Sequence, residues 1–155
     1  MGVKSVLLVL LVVLGLACRS SARRCSYSCS WPDTHSTLCD SRFVNIFYGT
    51  VRAAHKESDK GFVDYAVEVT TVYRSENSRF VHEGAVVTLH TILHEYICPV
   101  QKMRPGFTAY FAVGPLGDFS SNYRIQAGSC DSYISVSLPT NVKDDLSAGK
   151  FNRPC

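Results

Sequence analysis

Long apolar runs are scarce in this chain. The only one, residues 6–17, falls short of the ~20 residues a membrane-crossing helix needs, and nothing downstream approaches it, so no membrane span is expected. Charge of one sign is lacking as well: 16 Lys+Arg stand against 13 Asp+Glu, a balance that argues against a binder of nucleic acid or other polyanions. Several chemical signatures are missing too. There is no C-x-x-C pair, no Cys/His cluster of zinc-finger spacing, no G-x-S-x-G elbow, no glycine-rich phosphate loop and no Asn-x-Ser/Thr sequon. These absences count against structural zinc, α/β-hydrolase chemistry, phosphate-loop nucleotide binding and N-glycosylation. A non-enzyme without a cofactor of its own is the expectation.

What is present begins with a leader. Lys4 precedes the apolar stretch and Ser20-Ser21-Ala22 supplies small residues at a cleavage position, so residues 1–22 read as a secretory signal peptide cut after Ala22. Losing Lys4 and Arg19 leaves 14 basic residues against the same 13 acidic ones. Of seven cysteines, Cys18 lies in the leader and six remain: Cys25, Cys29, Cys39, Cys98, Cys130 and Cys155. An even set in an oxidising compartment points to three disulfides and leaves no spare thiol as a nucleophile, while the connectivity stays open at this level. Clustered early and spread late, these cysteines tie the N-terminal strip to the distal body in most pairings. Roughly 130 residues after the leader is one domain by size.

Strand signals dominate the body. Residues 43–51 are rich in β-branched and aromatic side chains, and residues 61–73 alternate at period 2 through Val63, Tyr65, Val67 and Val69. Residues 56–61 between them form a charged hairpin loop. Further strands are expected at 85–92, 108–113 and 123–127, separated by breaks at Pro99, Pro105-Gly106, Gly114-Pro115 and Gly117. Five strands with such punctuation predict a small closed β-barrel. One helix is expected near the C-terminus, with Thr140 as its N-cap after Pro139 and Gly149 at its end. Phe43, Phe47, Tyr65, Tyr110 and Phe111 are expected to pack rather than to stack on bases, and the lone Trp31 to cover a disulfide. His90 and His94, with Glu95 following, have a metal-ligand spacing on a helix, but on a strand they stand ~13 Å apart.

The order Cys25, Cys29, Cys39-Asp40-Ser41, a strand, and then residues 65–74 (Tyr-Ala-Val-Glu-Val-Thr-Thr-Val-Tyr-Arg) closely resembles the inhibitory N-terminal domain of the tissue inhibitors of metalloproteinases. The resemblance continues through Glu95-Tyr96-Ile97-Cys98, residues 107–113 and Cys130, and spans residues 25–155. It implies a netrin-like module with a five-stranded OB-fold barrel, a short C-terminal helix and the pairings Cys25–Cys98, Cys29–Cys130 and Cys39–Cys155. The chain stops at the sixth cysteine of that pattern, as the one-domain versions of the family do.

The function implied is inhibition of secreted or cell-surface zinc metalloendopeptidases of the matrix metalloproteinase type. The α-amino group and carbonyl oxygen of an N-terminal Cys25 would chelate the protease's zinc and displace the water that the metal activates. Ser26 would enter the specificity pocket beside Tyr27, with Glu95, Tyr96, Ile97 and Cys98 as the adjoining ridge. The zinc belongs to the target. Two departures from the family stand out: three residues, Ser26-Tyr27-Ser28, separate the first two cysteines where the family has one, and Arg23-Arg24 precede Cys25 after the leader cut. Cleavage after this dibasic pair would expose Cys25. The alternative is a secreted, non-inhibitory netrin-like module for matrix or signalling partners. A monomer in the extracellular space or matrix is expected in either case.

Overall fold

β-Branched and aromatic side chains at alternate positions drive the middle of the chain into strands. The computed structural model describes residues 33–57, 61–92, 103–117, 124–128 and 131–155. These form, in order, α1 (Thr34–Cys39), β1 (Asn45–Glu57), β2 (Phe62–Arg74), β3 (Val86–Ile92), β4 (Thr108–Val113), β5 (Leu116–Gly117), β6 (Arg124–Gln126), β7 (Ser132–Ser135) and α2 (Thr140–Ser147). In β2 the expected alternation is realised: Val63, Tyr65, Val67 and Val69 are buried, and the residues between them are half-buried.

The described strands make one sheet in the order β5-β6-β3-β2-β1-β4-β7. β1 is antiparallel to β2 along most of its length, and on its other edge to β4, from Asn45 opposite Val113 to Thr50 opposite Thr108. β2 and β3 are antiparallel, whereas β3 and β6 run parallel. Where five strands in a closed barrel are expected, the described residues form a curled sheet of seven strands. Short β5 and polar β7 add strands, and the described sheet is curled with β5 and β7 at its edges. Boundaries shift as well: Phe43 and Val44 precede β1, while Lys56 and Glu57 belong to it rather than to the hairpin loop.

The sheet curls because β1 and β2 pair irregularly. Register breaks leave Tyr73, Thr70 and Arg52 as extra residues, and each bulge bends and twists the ladder. One contiguous core then fills the concave side, drawing Phe47 and Val51 from β1, Val67 and Val69 from β2, Leu89 from β3, Phe111 from β4 and Ile125 from β6. A flat sheet could not bring β4 and β6 side chains, four strands apart, into one cluster. Gly49 marks the tightest point. A Cβ there would lie 2.6 Å from the Glu68 carbonyl oxygen and 3.0 Å from Val67 Cγ1. Gly49→Ala is therefore expected to destabilise the fold by about 2 kcal/mol through overpacking, read as a lower urea midpoint; an unchanged midpoint would contradict the close approach.

The other face of β1 and β4 carries a second core. Because neighbouring side chains point to opposite faces, Ile46 and Ala112 turn away from Phe47 and Phe111 and join Leu38 of α1, Phe43, Leu138, Val142 and Leu146 of α2, and Phe151. The two helices thus cover the outside of the curled sheet. α2 starts one residue earlier than expected: Pro139 occupies the cap position without a side-chain bond, and Thr140 is the first helical residue. It ends as expected, with Gly149 at φ +73° just past the C-cap Ala148. No helix among the described residues is long and apolar enough to cross a membrane.

Candidate functional site

The residues that the resemblance assigns to protease contact, Cys25, Ser26, Tyr27, Glu95, Tyr96, Ile97 and Cys98, lie outside the described residues, as do Cys29, Cys130, Trp31 and His94. The structure describes the frame from which they depart along the chain. β3 ends at Ile92, just before the segment holding Glu95 to Cys98, and α1 opens at Thr34, shortly after Cys29.

α1 is short and depends on its cap. Asp33 Oδ1 accepts from the Ser36 backbone N–H at 2.8 Å and Oδ2 from the Ser36 hydroxyl at 2.7 Å. The backbone bond first, then the hydroxyl bond, hold the Asp33 carboxyl below its ordinary range. Because this folded-state pKa is depressed, the cap's contribution is present above the unfolded carboxylate's pKa and fades as pH falls through the folded value.

The helix ends at Cys39, which forms a disulfide with Cys155 across 116 residues of sequence, Cα to Cα 4.8 Å. Closing so long a loop stabilises by about 4–5 kcal/mol in the chain-entropy model. Around the bridge, His35 Nδ1 lies 3.7 Å from Cys39 Sγ and His35 Nε2 lies 3.7 Å from Asp145 Oδ2. Lys150 Nζ donates to Asp145 Oδ1 at 2.6 Å, and the His35 ring rests 5.0 Å from that of Phe151.

Arg74 ties the same region from inside. Its side chain is buried, and its guanidinium donates to three backbone carbonyls: Nε to Phe151 at 2.6 Å, Nη1 to Phe43 at 2.7 Å and Nη2 to Arg153 at 2.7 Å. Burial pulls its pKa down. The bulge at Tyr73 lets Tyr73 and Arg74 both serve the second core, which a regular strand would not allow.

A third polar cluster links β2, β3 and β6. His90 Nδ1 donates to Asp64 Oδ1 at 2.6 Å, Arg124 Nη2 meets Asp64 Oδ2 at 3.1 Å, and Phe62 stacks on the His90 ring at 4.6 Å. All three polar side chains are half-buried. His90 stands on a strand, as its sequence context implies, and its Nδ1 is engaged with Asp64. No group of three or more His, Cys, Asp or Glu among the described residues is arranged to hold a metal. Asp64→Asn removes the charge that holds both partners and is expected to cost about 1–2 kcal/mol; thermal unfolding against wild type reads it, and an unaltered Tm would show that the cluster contributes nothing.

Tyrosines line the outside of β1 and β4. Tyr48 and Tyr110 face each other across the ladder with centroids 4.8 Å apart, and Tyr73 lies 6.2 Å from Tyr110. Burial, then the neighbouring phenols of Tyr110 and Tyr48, push the Tyr73 hydroxyl's pKa up. Phe43, Phe47, Tyr65 and Phe111 are buried, so the expectation of packing roles holds for them.

Sequence reasoning missed four partners. Asp64 and Arg124 meet His90 only through strand register, which no local pattern reveals. Arg74 carries no signature as a buried cation. His35 had a readable cue, its position one helical turn before Cys39, but α1 itself was not foreseen. No protein-family model matches the chain, and no curated protein shows significant similarity to it.

Proposed function

We propose that this chain is a secreted inhibitor of zinc metalloendopeptidases of the matrix metalloproteinase type, an OB-fold module that presents Cys25 to the zinc of the target enzyme. The observation that carries the reading is the Cys39–Cys155 disulfide. It joins the third and sixth of the six cysteines, a pairing that the resemblance to the tissue inhibitors of metalloproteinases implies and that composition leaves open. The strand path is a second support. A three-strand meander, a fourth strand returning to the free edge of the first, and a strand parallel to the third accord with a five-stranded Greek-key barrel to which β5 and β7 are additions.

In this reading the α-amine and carbonyl of Cys25 take the coordination positions of the protease's activated water. Ser26 and Tyr27 enter the adjoining cleft, and Glu95, Tyr96, Ile97 and Cys98 form the ridge beside them, held to Cys25 by the Cys25–Cys98 bond. Cys29–Cys130 fixes the segment from the other side. A wedge held at two points is organised before binding and loses little ordering entropy in the complex.

The test is N-terminal and intact-mass analysis of the secreted protein, with the mass shift on reduction, followed by titration of a zinc endopeptidase catalytic domain. A Cys25 start, three bridges and stoichiometric inhibition support the proposal. An Arg23 start with three bridges and no inhibition replaces it with the non-inhibitory binding module.

A further inference from the structure

We propose that the Cys39–Cys155 disulfide is a thiol-exchange site, opened by dithiol reductants through attack at Cys155, with Cys39 leaving as a thiolate assisted by His35. The proposal stands apart from protease inhibition, since it involves none of the residues assigned to zinc or cleft.

The two cysteines differ in exposure and in their neighbours. Cys155 is exposed, whereas Cys39 is half-buried at the end of α1. Only Cys39 has an imidazole set against it, His35 Nδ1 at 3.7 Å, and the other ring nitrogen faces Asp145 Oδ2 at 3.7 Å. A carboxylate, an imidazole and a cysteine sulfur in series form the arrangement by which proteins stabilise a thiolate. Here the sulfur is bonded and carries no proton, so His35 can act on it only as the S–S bond breaks. The charged groups facing His35 are Asp33 at the cap of its own helix and, from α2 and the turn after it, Asp145 with its partner Lys150.

The step balances as follows. A reductant thiolate attacks Cys155 Sγ, an S–S bond forms to the reductant, and the Cys155–Cys39 bond breaks with its electron pair going to Cys39 Sγ beside the His35 ring. The reductant's second thiolate then attacks its own sulfur in the mixed disulfide and releases the Cys155 thiolate. The reductant is oxidised to its cyclic disulfide and the two cysteines are reduced. Opening does not free the C-terminal segment. Arg74 holds the carbonyls of Phe151 and Arg153, and the Phe151 side chain is fully buried, so the two sulfurs stay close enough to re-form the bond.

The experiment follows each cysteine of the full chain by acid quench, alkylation and peptide mass spectrometry during reduction with dithiothreitol between about pH 5.5 and 8, the range of histidine titration. Rates are divided by the thiolate concentration at each pH. For wild type, the per-thiolate rate constant at Cys39–Cys155 is expected to fall as pH rises across this range. His35→Phe keeps a ring against Phe151 and is expected to give a flat profile, slower at the acid end by at least about threefold because the leaving thiol's pKa rises. Asp145→Asn, which keeps the imidazole, is expected to fall between. Brief treatment with glutathione should place the mixed disulfide on Cys155. A flat wild-type profile, an unchanged rate in His35→Phe or glutathione trapped on Cys39 would each overturn the assignment; if His35→Phe does not fold, the wild-type profile and Asp145→Asn decide.

Discussion

Arg74→Ala is expected to lower unfolding free energy by about 3 kcal/mol or more, from the loss of three buried or part-buried hydrogen bonds to backbone carbonyls. The residue is only 5 % exposed, and its three bonds reach three separate stretches of chain: the entry to β1 at Phe43, the turn after α2 at Phe151, and Arg153 near the C-terminus. Removing it takes one donor from each of the three carbonyls and opens a void beside the second core. Arg74→Lys keeps the charge but not the planar fork, so one ammonium cannot reach three divergent carbonyls, and less than half of the loss should be recovered. Arg74→Met fills space without donating and should resemble alanine. Urea unfolding followed by circular dichroism measures all three. If methionine proves as stable as arginine, the bonds offset only the cost of burying the guanidinium.

That arginine also shows where reading a sequence stops. Residues whose fate depends on alternation were legible: Val63, Tyr65, Val67 and Val69 declare the inner face of β2, and the bounds of β4 follow from the breaks on either side. Gly149 was legible as the end of α2 because few other residues accept its backbone angle. α1 was not, since six residues offer too few positions for a helical period and Asp33 alone announces it. β7 was not, because Ser132, Tyr133, Ile134 and Ser135 lack a strong apolar pattern and pair only where β4 offers an edge. The bulges at Tyr73, Thr70 and Arg52 are properties of a pair of strands and cannot be seen in either strand alone. The same limit hid the Asp64, His90 and Arg124 cluster. Cys39 and Cys155 were visible as cysteines, and their partnership came through a family resemblance rather than through spacing. The assigned protease-contacting residues, Cys25 to Tyr27 and Glu95 to Cys98, fall outside the described residues, so their reading stays at the level of the sequence.

A chain beginning at Cys25 is expected to inhibit a zinc endopeptidase at least about 100-fold more tightly than one beginning at Arg24, a difference of about 3 kcal/mol. In the longer chain the nitrogen of Cys25 is a peptide nitrogen with no lone pair to give, so chelation through that nitrogen is lost, and Arg24 adds a bulky charged side chain to a cleft built around the metal. The pH profiles should separate the two further. In the proposed chelation only the neutral α-amine would coordinate, and its ordinary pKa is about 7.7–8.0, so proton and zinc would compete for it. Below that value the inhibition constant of the Cys25 form should rise by up to about tenfold per pH unit, while any weak inhibition by the Arg24 form, which has no such nitrogen at the metal, should lack this dependence. A protease whose own activity is followed at each pH supplies the correction for its titration. Three residues between Cys25 and Cys29 give the wedge more length than the family has, which leaves the amine requirement untouched because it concerns the first residue alone. Equal potency of the two chains, with parallel pH profiles, would remove zinc chelation by the N-terminus and leave any inhibition to the ridge.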